Sequence, residues 1–233
     1  MDFSLAAKID HTNLNPLARR EDIKTLCLEA KKARFASVCV NPSFVSFCAE
    51  ELFGSDVKVC TVIGFPLGAD TIDNKATSAA AAVSAGALEI DMVQNLGLVK
   101  DGLWDELLDE ISAVVCASRS VETEGDREVL VKVILETCFL SDDEIVKCCK
   151  IAKEAGADFV KTSTGFASKK DENGNPLFSG ATAHAISLMR KTVGESMGVK
   201  ASGGIRTKAD AILMLEAGAS RLGTSAGLKI VSE

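Results

Sequence analysis

The sequence predicts a (β/α)8 TIM barrel with a short N-terminal helix, formed by residues 1–233 as a single domain. Eight short runs rich in β-branched residues alternate with eight longer helical patterns, which is typical of parallel strands joined by right-handed crossovers. A length of 233 residues fits one such barrel. An Ala-Gly-Ala repeat at 85–87, 155–157 and 217–219 precedes three of the strands. Glycine there ends a helix in left-handed geometry just before a strand begins.

The elements follow one another along the whole chain, after an opening segment at Phe3–Lys8. The predicted strands are Ile9–Thr12, Ser37–Val40, Val57–Ile63, Leu88–Val93, Val129–Leu135, Phe159–Thr162, Val199–Ser202 and Arg221–Gly223. The predicted helices are Arg20–Arg34, Pro42–Leu52, Thr71–Ala85, Leu103–Ala117, Asp142–Ala155, Ala183–Val193, Lys208–Ala217 and Ala226–Val231. One internal stretch, Ala167–Ala181, is loop-like, with a turn at Asn173-Gly174-Asn175-Pro176.

Composition limits the possible partners. The chain has 26 basic and 33 acidic residues and a net charge of -7, which argues against nucleic-acid or anionic-membrane binding by bulk charge. No apolar run approaches bilayer length, and Asp2 and Lys8 interrupt the opening segment, which argues against a signal peptide. We therefore expect a cytoplasmic protein with no membrane partner, in which the eight cysteines are reduced and mostly buried.

Three strands contain a charge directly after an aliphatic residue. The pairs are Ile90-Asp91, Val160-Lys161 and Val199-Lys200, and Val131-Lys132 repeats the pattern less specifically. Because successive strand side chains point to opposite faces, the aliphatic residues should face the helices and the charges the lumen. Barrel active sites lie at the carboxyl ends of the strands. The alternative is that each charge is merely paired, or lies at an exposed strand end.

Two lysines near one point predict amine chemistry. Each cation disfavours protonation of the other, so we expect one lysine to have a lowered pKa. A neutral amine attacks a carbonyl and forms a Schiff base, and the protonated imine then draws electrons from a neighbouring carbon–carbon bond. Because the chain has only two histidines, His11 and His184, we expect no metal-dependent route.

Two glycine-rich loops follow the last two predicted strands. They contain Gly203 and Gly204 in one case and Gly223, Thr224 and Ser225 in the other. Barrels often bind phosphate at this position through backbone amides, to which glycine permits close approach. The Ser163-Thr164-Gly165 segment, just after Lys161, could add donors.

The segments Val160–Phe166, Val199–Thr207 and Glu89–Val93 together resemble the deoxyribose-phosphate aldolase family, and the resemblance extends from Ile9 to Gly227. It implies a class I aldolase on a (β/α)8 barrel with no cofactor. The implied reaction cleaves 2-deoxy-D-ribose 5-phosphate reversibly to acetaldehyde and D-glyceraldehyde 3-phosphate in deoxyribonucleotide catabolism. The implied partners are these phosphosugar and aldehyde substrates and further copies of the chain, in a dimer or tetramer.

The resemblance also implies roles for individual residues. Lys161 would form the Schiff base, and Asp91 and Lys200 would transfer protons. The implied substrate-binding residues are Asp10, Thr12, Cys39, Lys132, Thr164, Gly165, Gly203, Gly204, Gly223, Thr224 and Ser225.

The chain departs from the family pattern at three places. Phe166 replaces a lysine that reaches the phosphate in some members, and no tyrosine is present to serve as the C-terminal tyrosine of other members. Residues 168–180 resemble an insertion that forms either a lid or a solvated loop. Two alternatives stay open: another phosphosugar enzyme, such as an isomerase or a transaldolase-like enzyme, and a non-catalytic phosphometabolite-binding barrel.

Overall fold

Eight parallel strands form a closed barrel in the computed structural model, which describes residues 1–123, 125, 127–175 and 177–233. Each strand pairs with the next, and the last pairs with the first. The strands are β1 (Ile9–Asn13), β2 (Ser37–Val40), β3 (Lys58–Ile63), β4 (Glu89–Val93), β5 (Leu130–Ile134), β6 (Phe159–Lys161), β7 (Gly198–Ser202) and β8 (Arg221–Thr224). The predicted fold and all eight predicted strands are confirmed.

Helices connect the strands, and a short helix precedes β1 as predicted. They are α1 (Phe3–Ala6), α2 (Arg20–Ala33), α3 (Val45–Glu51), α4 (Ile72–Ser84), α5 (Leu96–Asp101), α6 (Trp104–Arg119), α7 (Asp142–Glu154), α8 (Ala183–Val193), α9 (Lys208–Glu216) and α10 (Gly227–Ser232). Two 3₁₀ segments, Pro42–Phe44 and Thr137–Phe139, lie directly after β2 and shortly after β5.

Two details differ from the sequence prediction. The helix predicted to begin at Pro42 starts as the 3₁₀ segment and becomes α-helical only at Val45. Helix α5 was not predicted, because its six residues are too few to show a helical period. The turn predicted at residues 173–176 includes Pro176, which lies outside the described residues.

The apolar core lies between the barrel and its helices. Ile90, Val160 and Val199 are fully buried in this layer, so strand alternation turns the charged residue after each of them into the lumen. The three glycines of the Ala-Gly-Ala repeat have φ between 81° and 112°, as expected where a helix turns back toward a strand. The inward direction of Asp91, Lys161 and Lys200 is therefore set by ordinary packing of their neighbours.

All eight cysteines are free thiols, and six of them are buried, as expected. Cys138 is half-buried and Cys116 is exposed. In the part of the chain that the structure describes, no helix is long and apolar enough to cross a membrane.

Candidate active site

Asp91 lies at the centre of the lumen and accepts hydrogen bonds from three lysines. Its Oδ1 atom is 2.8 Å from Lys132 Nζ. Its Oδ2 atom is 2.8 Å from Lys161 Nζ and 2.7 Å from Lys200 Nζ. The two lysines that the sequence singled out therefore share one carboxylate oxygen, which brings their amines close together.

Further charges extend this group toward the amino ends of the strands. Glu89 Oε2 lies 2.6 Å from Lys132 Nζ, and Asp10 forms ion pairs with Lys200 and Arg221. Arg221 also reaches Glu89 at 3.3 Å. The resulting ion network has four cations, Lys132, Lys161, Lys200 and Arg221, against three carboxylates, Asp10, Glu89 and Asp91. With every group ionised it carries one excess positive charge, which favours an anionic substrate.

Burial and ion pairing have opposite effects on these groups, and ion pairing prevails. Burial alone would raise the pKa of Asp91, but the ammonium groups around it hold that pKa well below its usual range. Burial would likewise lower the pKa of Lys200, but Asp10 and Asp91 raise it. The expectation that neighbouring cations lower a lysine pKa is wrong for Lys200, because the buried carboxylates outweigh lysine–lysine repulsion.

A cavity of about 730 Å³ opens above the ion network at the carboxyl ends of β1, β6, β7 and β8. Lys161 is the member of the network that reaches it, and its side chain is 4% exposed. The other members lie beneath Lys161 or around it. A small molecule that enters this cavity therefore meets the Lys161 amine on its floor.

The glycine-rich loops line the same cavity. In the described part of the chain, no protein group accepts a hydrogen bond from the backbone amides of Gly204 and Ser225. Gly203 and Gly204 have φ of 86° and 82°, conformations that favour glycine. These free amides are suited to an anion such as a phosphate.

The segment after β6 packs on this loop. A Cβ atom added to Gly204 would lie 2.8 Å from the Phe178 ring, and the Ala181 amide donates to Gly203 O at 3.0 Å. Phe178 itself is 63% exposed. The end of the predicted insertion, at Phe178 and Gly180, therefore packs against the glycine-rich loop, whereas most of its other described residues are exposed to solvent.

The predicted substrate-binding residues fall into two groups. One group lines the cavity: Thr12, Thr164, Gly165, Gly203, Gly204, Gly223, Thr224 and Ser225. The other, Asp10, Cys39 and Lys132, is buried below the cavity. Asp10 and Lys132 belong to the ion network, and Cys39 packs against Leu14 and Cys60.

Several residues of the site escaped the sequence analysis. Asn13, at the end of β1, and Asn15, in the loop that follows, form one wall of the cavity, and neither was predicted as a site residue. Glu89 could have been found, because it lies two residues before Asp91 and strand alternation places both on one face. The same alternation applies to Arg221, which begins the predicted strand Arg221–Gly223 and precedes the apolar Leu222.

A chelator should leave the activity unchanged. The ligand atoms of Cys39, Cys60 and Asp91 lie within 4.8 Å of one another, a spacing that could suit a metal ion. However, three ammonium groups already bond to Asp91, and Lys132 Nζ lies 3.5 Å from Cys60 Sγ. A divalent cation there would be repelled by all three. Activity that falls on dialysis against a strong chelator and returns with a divalent ion would contradict this.

A barrel with a lysine at the base of a cavity beside a second lysine and a shared aspartate has the groups of a Schiff-base aldolase. The chain belongs to the DeoC/LacD aldolase family, whose model matches residues 4–233. Among its relatives is deoxyribose-phosphate aldolase of Caldanaerobacter subterraneus subsp. tengcongensis, which is 55% identical over 231 residues, or 99% of this chain and 94% of the relative.

Two further relatives have the same name. Deoxyribose-phosphate aldolase of Clostridium tetani is 52% identical over 225 residues, or 97% of this chain and 96% of the relative. Among solved structures, the tetrameric deoxyribose phosphate aldolase of Aeropyrum pernix matches with a TM-score of 0.86 and 34% identity, over 99% of this chain and 90% of that one.

Proposed function

We infer that this chain is an aldehyde-lyase that cleaves 2-deoxy-D-ribose 5-phosphate reversibly to acetaldehyde and D-glyceraldehyde 3-phosphate, through an imine on Lys161. One observation carries this function: the Lys161 amine lies on the cavity floor and shares one oxygen of the buried Asp91 with Lys200. The family match and the names of the relatives support the same reaction.

The site supports each step of that reaction. The deprotonated amine of Lys161 attacks the substrate aldehyde at C1, and the resulting carbinolamine takes up a proton and loses water to give a protonated imine. Removal of the C3 hydroxyl proton breaks the C2–C3 bond, releases glyceraldehyde 3-phosphate and leaves its electron pair as an enamine. Protonation at C2 and hydrolysis then release acetaldehyde and regenerate the amine. We assign the proton transfers to Asp91 and Lys200, which already form a hydrogen-bonded path to Lys161 Nζ.

The remaining predicted substrate-binding residues act either directly, from the cavity wall, or indirectly, from below the cavity. We propose that Gly203, Gly204, Gly223, Thr224 and Ser225 bind the phosphate, and that Thr12, Thr164 and Gly165 line the sugar path. Asp10 and Lys132 would act on the substrate through the ion network, and Cys39 through packing below the cavity. Phosphate affinity would rest on backbone amides, since Phe166 offers no charge.

An assay with several phosphosugars tests the proposed function. We expect cleavage of 2-deoxyribose 5-phosphate, with acetaldehyde as a product. Turnover of ketose phosphates without acetaldehyde release would instead favour an isomerase or a transaldolase-like enzyme. Tight binding without any turnover would favour a phosphometabolite-binding barrel.

Replacing Ser225 with aspartate should weaken phosphate binding selectively. The new carboxylate would lie beside the phosphate dianion and repel it. We expect kcat/KM on 2-deoxyribose 5-phosphate to fall by about 10²-fold, which is roughly 2.7 kcal/mol, and the value on unphosphorylated 2-deoxyribose to change by less than about threefold. Ser225→Asn is the matched neutral control. Equal losses on both substrates would mean that the phosphate binds elsewhere.

Three broader assignments accompany this function. We propose that residues 1–233 form one aldolase domain, in keeping with the closed barrel and the match to residues 4–233. We propose a homo-oligomer, either a dimer or a tetramer, which the tetrameric relative supports and sedimentation equilibrium would test. We also propose a cytoplasmic location, in keeping with the reduced cysteines, which cell fractionation would test.

A further inference from the structure

Glu136 holds an unusual backbone conformation immediately after β5. Its φ and ψ are 55° and 60°, in the left-handed region that non-glycine residues seldom adopt, and its side chain is buried. The amides on either side are both used: Leu135 N donates to Lys161 O, and Thr137 N donates to Thr162 O, each at 2.9 Å. The chain around Glu136, at the end of β5, is therefore hydrogen-bonded to the backbone carbonyls of Lys161 and Thr162.

The side chain of Glu136 extends this attachment by two residues. Its two carboxylate oxygens lie 3.3 Å and 3.2 Å from the Thr164 amide, and Thr164 Oγ1 donates to Oε2. Thr164 Oγ1 in turn accepts a hydrogen bond from Phe166 N at 3.0 Å. A threonine hydroxyl has one proton to donate, so that of Thr164 is committed to Glu136.

The backbone amide of the next residue, Gly165, is not used in this way. Gly165 is exposed and lines the cavity beside Lys161, and no acceptor for its amide is found among the described residues. Glu136 thus takes both donors of Thr164, while the donor of Gly165 stays free at the cavity wall. The Glu136 carboxyl is 3% exposed, and this burial raises its pKa.

We propose that Glu136 is a positioning residue, which fixes Thr164 so that the Gly165 amide faces the oxygen-rich glyceraldehyde 3-phosphate end of the substrate. The proposal rests on the proposed function and adds a residue to it. Glu136 acts on binding of the phosphosugar rather than on the amine chemistry of Lys161. A two-carbon aldehyde held on Lys161 lacks the atoms that would reach this wall, so its imine should form without the help of Glu136.

Glu136→Gln is the central test, because it keeps the shape, removes the charge and places an amide nitrogen where Oε1 accepts from the Thr164 amide. We expect KM for 2-deoxyribose 5-phosphate to rise about tenfold, which corresponds to about 1.4 kcal/mol, with kcat within about twofold of wild type. The rate at which acetaldehyde and borohydride modify Lys161 should not change. A fall in kcat at constant KM, or slower trapping of acetaldehyde, would overturn the proposal.

Variants of Thr164 test whether Glu136 acts by positioning Thr164 or only by stabilising the protein. Thr164→Val should reproduce the KM rise, and Thr164→Ser, which keeps the hydroxyl that bonds to Glu136, should raise KM less than Thr164→Val does. The double variant Glu136→Gln/Thr164→Val should be no worse than the poorer single variant, because the two residues act as one unit. Additive losses would overturn the proposal. If the wild-type protein traps no acetaldehyde, the proposed Schiff-base function is wrong. If the wild-type protein traps acetaldehyde and only the variants depart from expectation, the positioning role of Glu136 is wrong.

Discussion

Replacing Lys161 with alanine is expected to abolish turnover while leaving the barrel folded. The amine is the group that becomes covalently bound, and alanine offers no nucleophile. We expect kcat to fall on the order of 10⁵-fold or more, as in other enzymes that lose a covalent nucleophile. Steady-state assays with 2-deoxyribose 5-phosphate measure this loss, and circular dichroism measures the fold.

The chain offers a matched control for this variant. Lys75 is also a fully buried lysine in an ion pair, 2.6 Å from Glu110, but it lies outside the lumen. Lys75→Met should destabilise the protein and leave kcat of the folded fraction within about tenfold of wild type. If Lys161→Ala kept a rate comparable to that of Lys75→Met, the imine mechanism would be wrong.

Asp91→Asn should damage both stability and catalysis, because three ammonium groups share this one carboxylate. The amide is nearly isosteric, so the change removes charge and hardly alters packing. Breaking a buried ion pair costs about 3–5 kcal/mol in the free energy of unfolding. Loss of a proton-transfer group costs about 10²–10⁴-fold in kcat. Urea unfolding and steady-state kinetics on the same preparation measure the two effects.

Glu110→Gln separates these two effects. This change removes the charge of the buried Glu110 carboxylate, which pairs with Lys75 alone, whereas Asp91 pairs with three lysines. Glu110 does not contact the Lys161 amine. We expect a smaller loss of stability than for Asp91→Asn, and kcat within about tenfold of wild type. Near-normal kcat in Asp91→Asn would remove Asp91 from the proton path and leave it a purely electrostatic role.

The barrel fold and the inward direction of Asp91, Lys161 and Lys200 could be predicted, because each depends on a pattern of neighbouring residues in the sequence. Strand–helix alternation determined the fold, and an aliphatic residue before each charge determined which face Asp91, Lys161 and Lys200 occupy. The Asp91 contacts then follow from parallel register, in which Asp91 lies opposite Lys132 and Lys161 opposite Lys200. Neighbouring residues along the hydrogen-bonded ladder are neighbours in the lumen.

The remaining features depend on information that local pattern lacks. The raised pKa of Lys200 results from Asp10, which is 190 positions away in the chain and adjacent only in the closed barrel. Glu136 lies directly after the predicted strand Val129–Leu135, and the left-handed φ that directs its side chain at Thr164 is not visible in a strand pattern. Asn15, in the cavity wall, belongs to the loop after β1, and the course of that loop is set by packing.

The most direct test of the Lys161 assignment is to treat the wild-type protein with acetaldehyde and borohydride, and to map the modified residue by mass spectrometry. Borohydride reduces an imine to a stable secondary amine, so the residue that forms it keeps a two-carbon adduct. We predict that the adduct appears on Lys161, which reaches the cavity, and that Lys132 and Lys200, buried in the ion network, stay unmodified. An adduct on Lys200 would reverse the two roles, and cleavage without any lysine adduct would contradict the covalent mechanism.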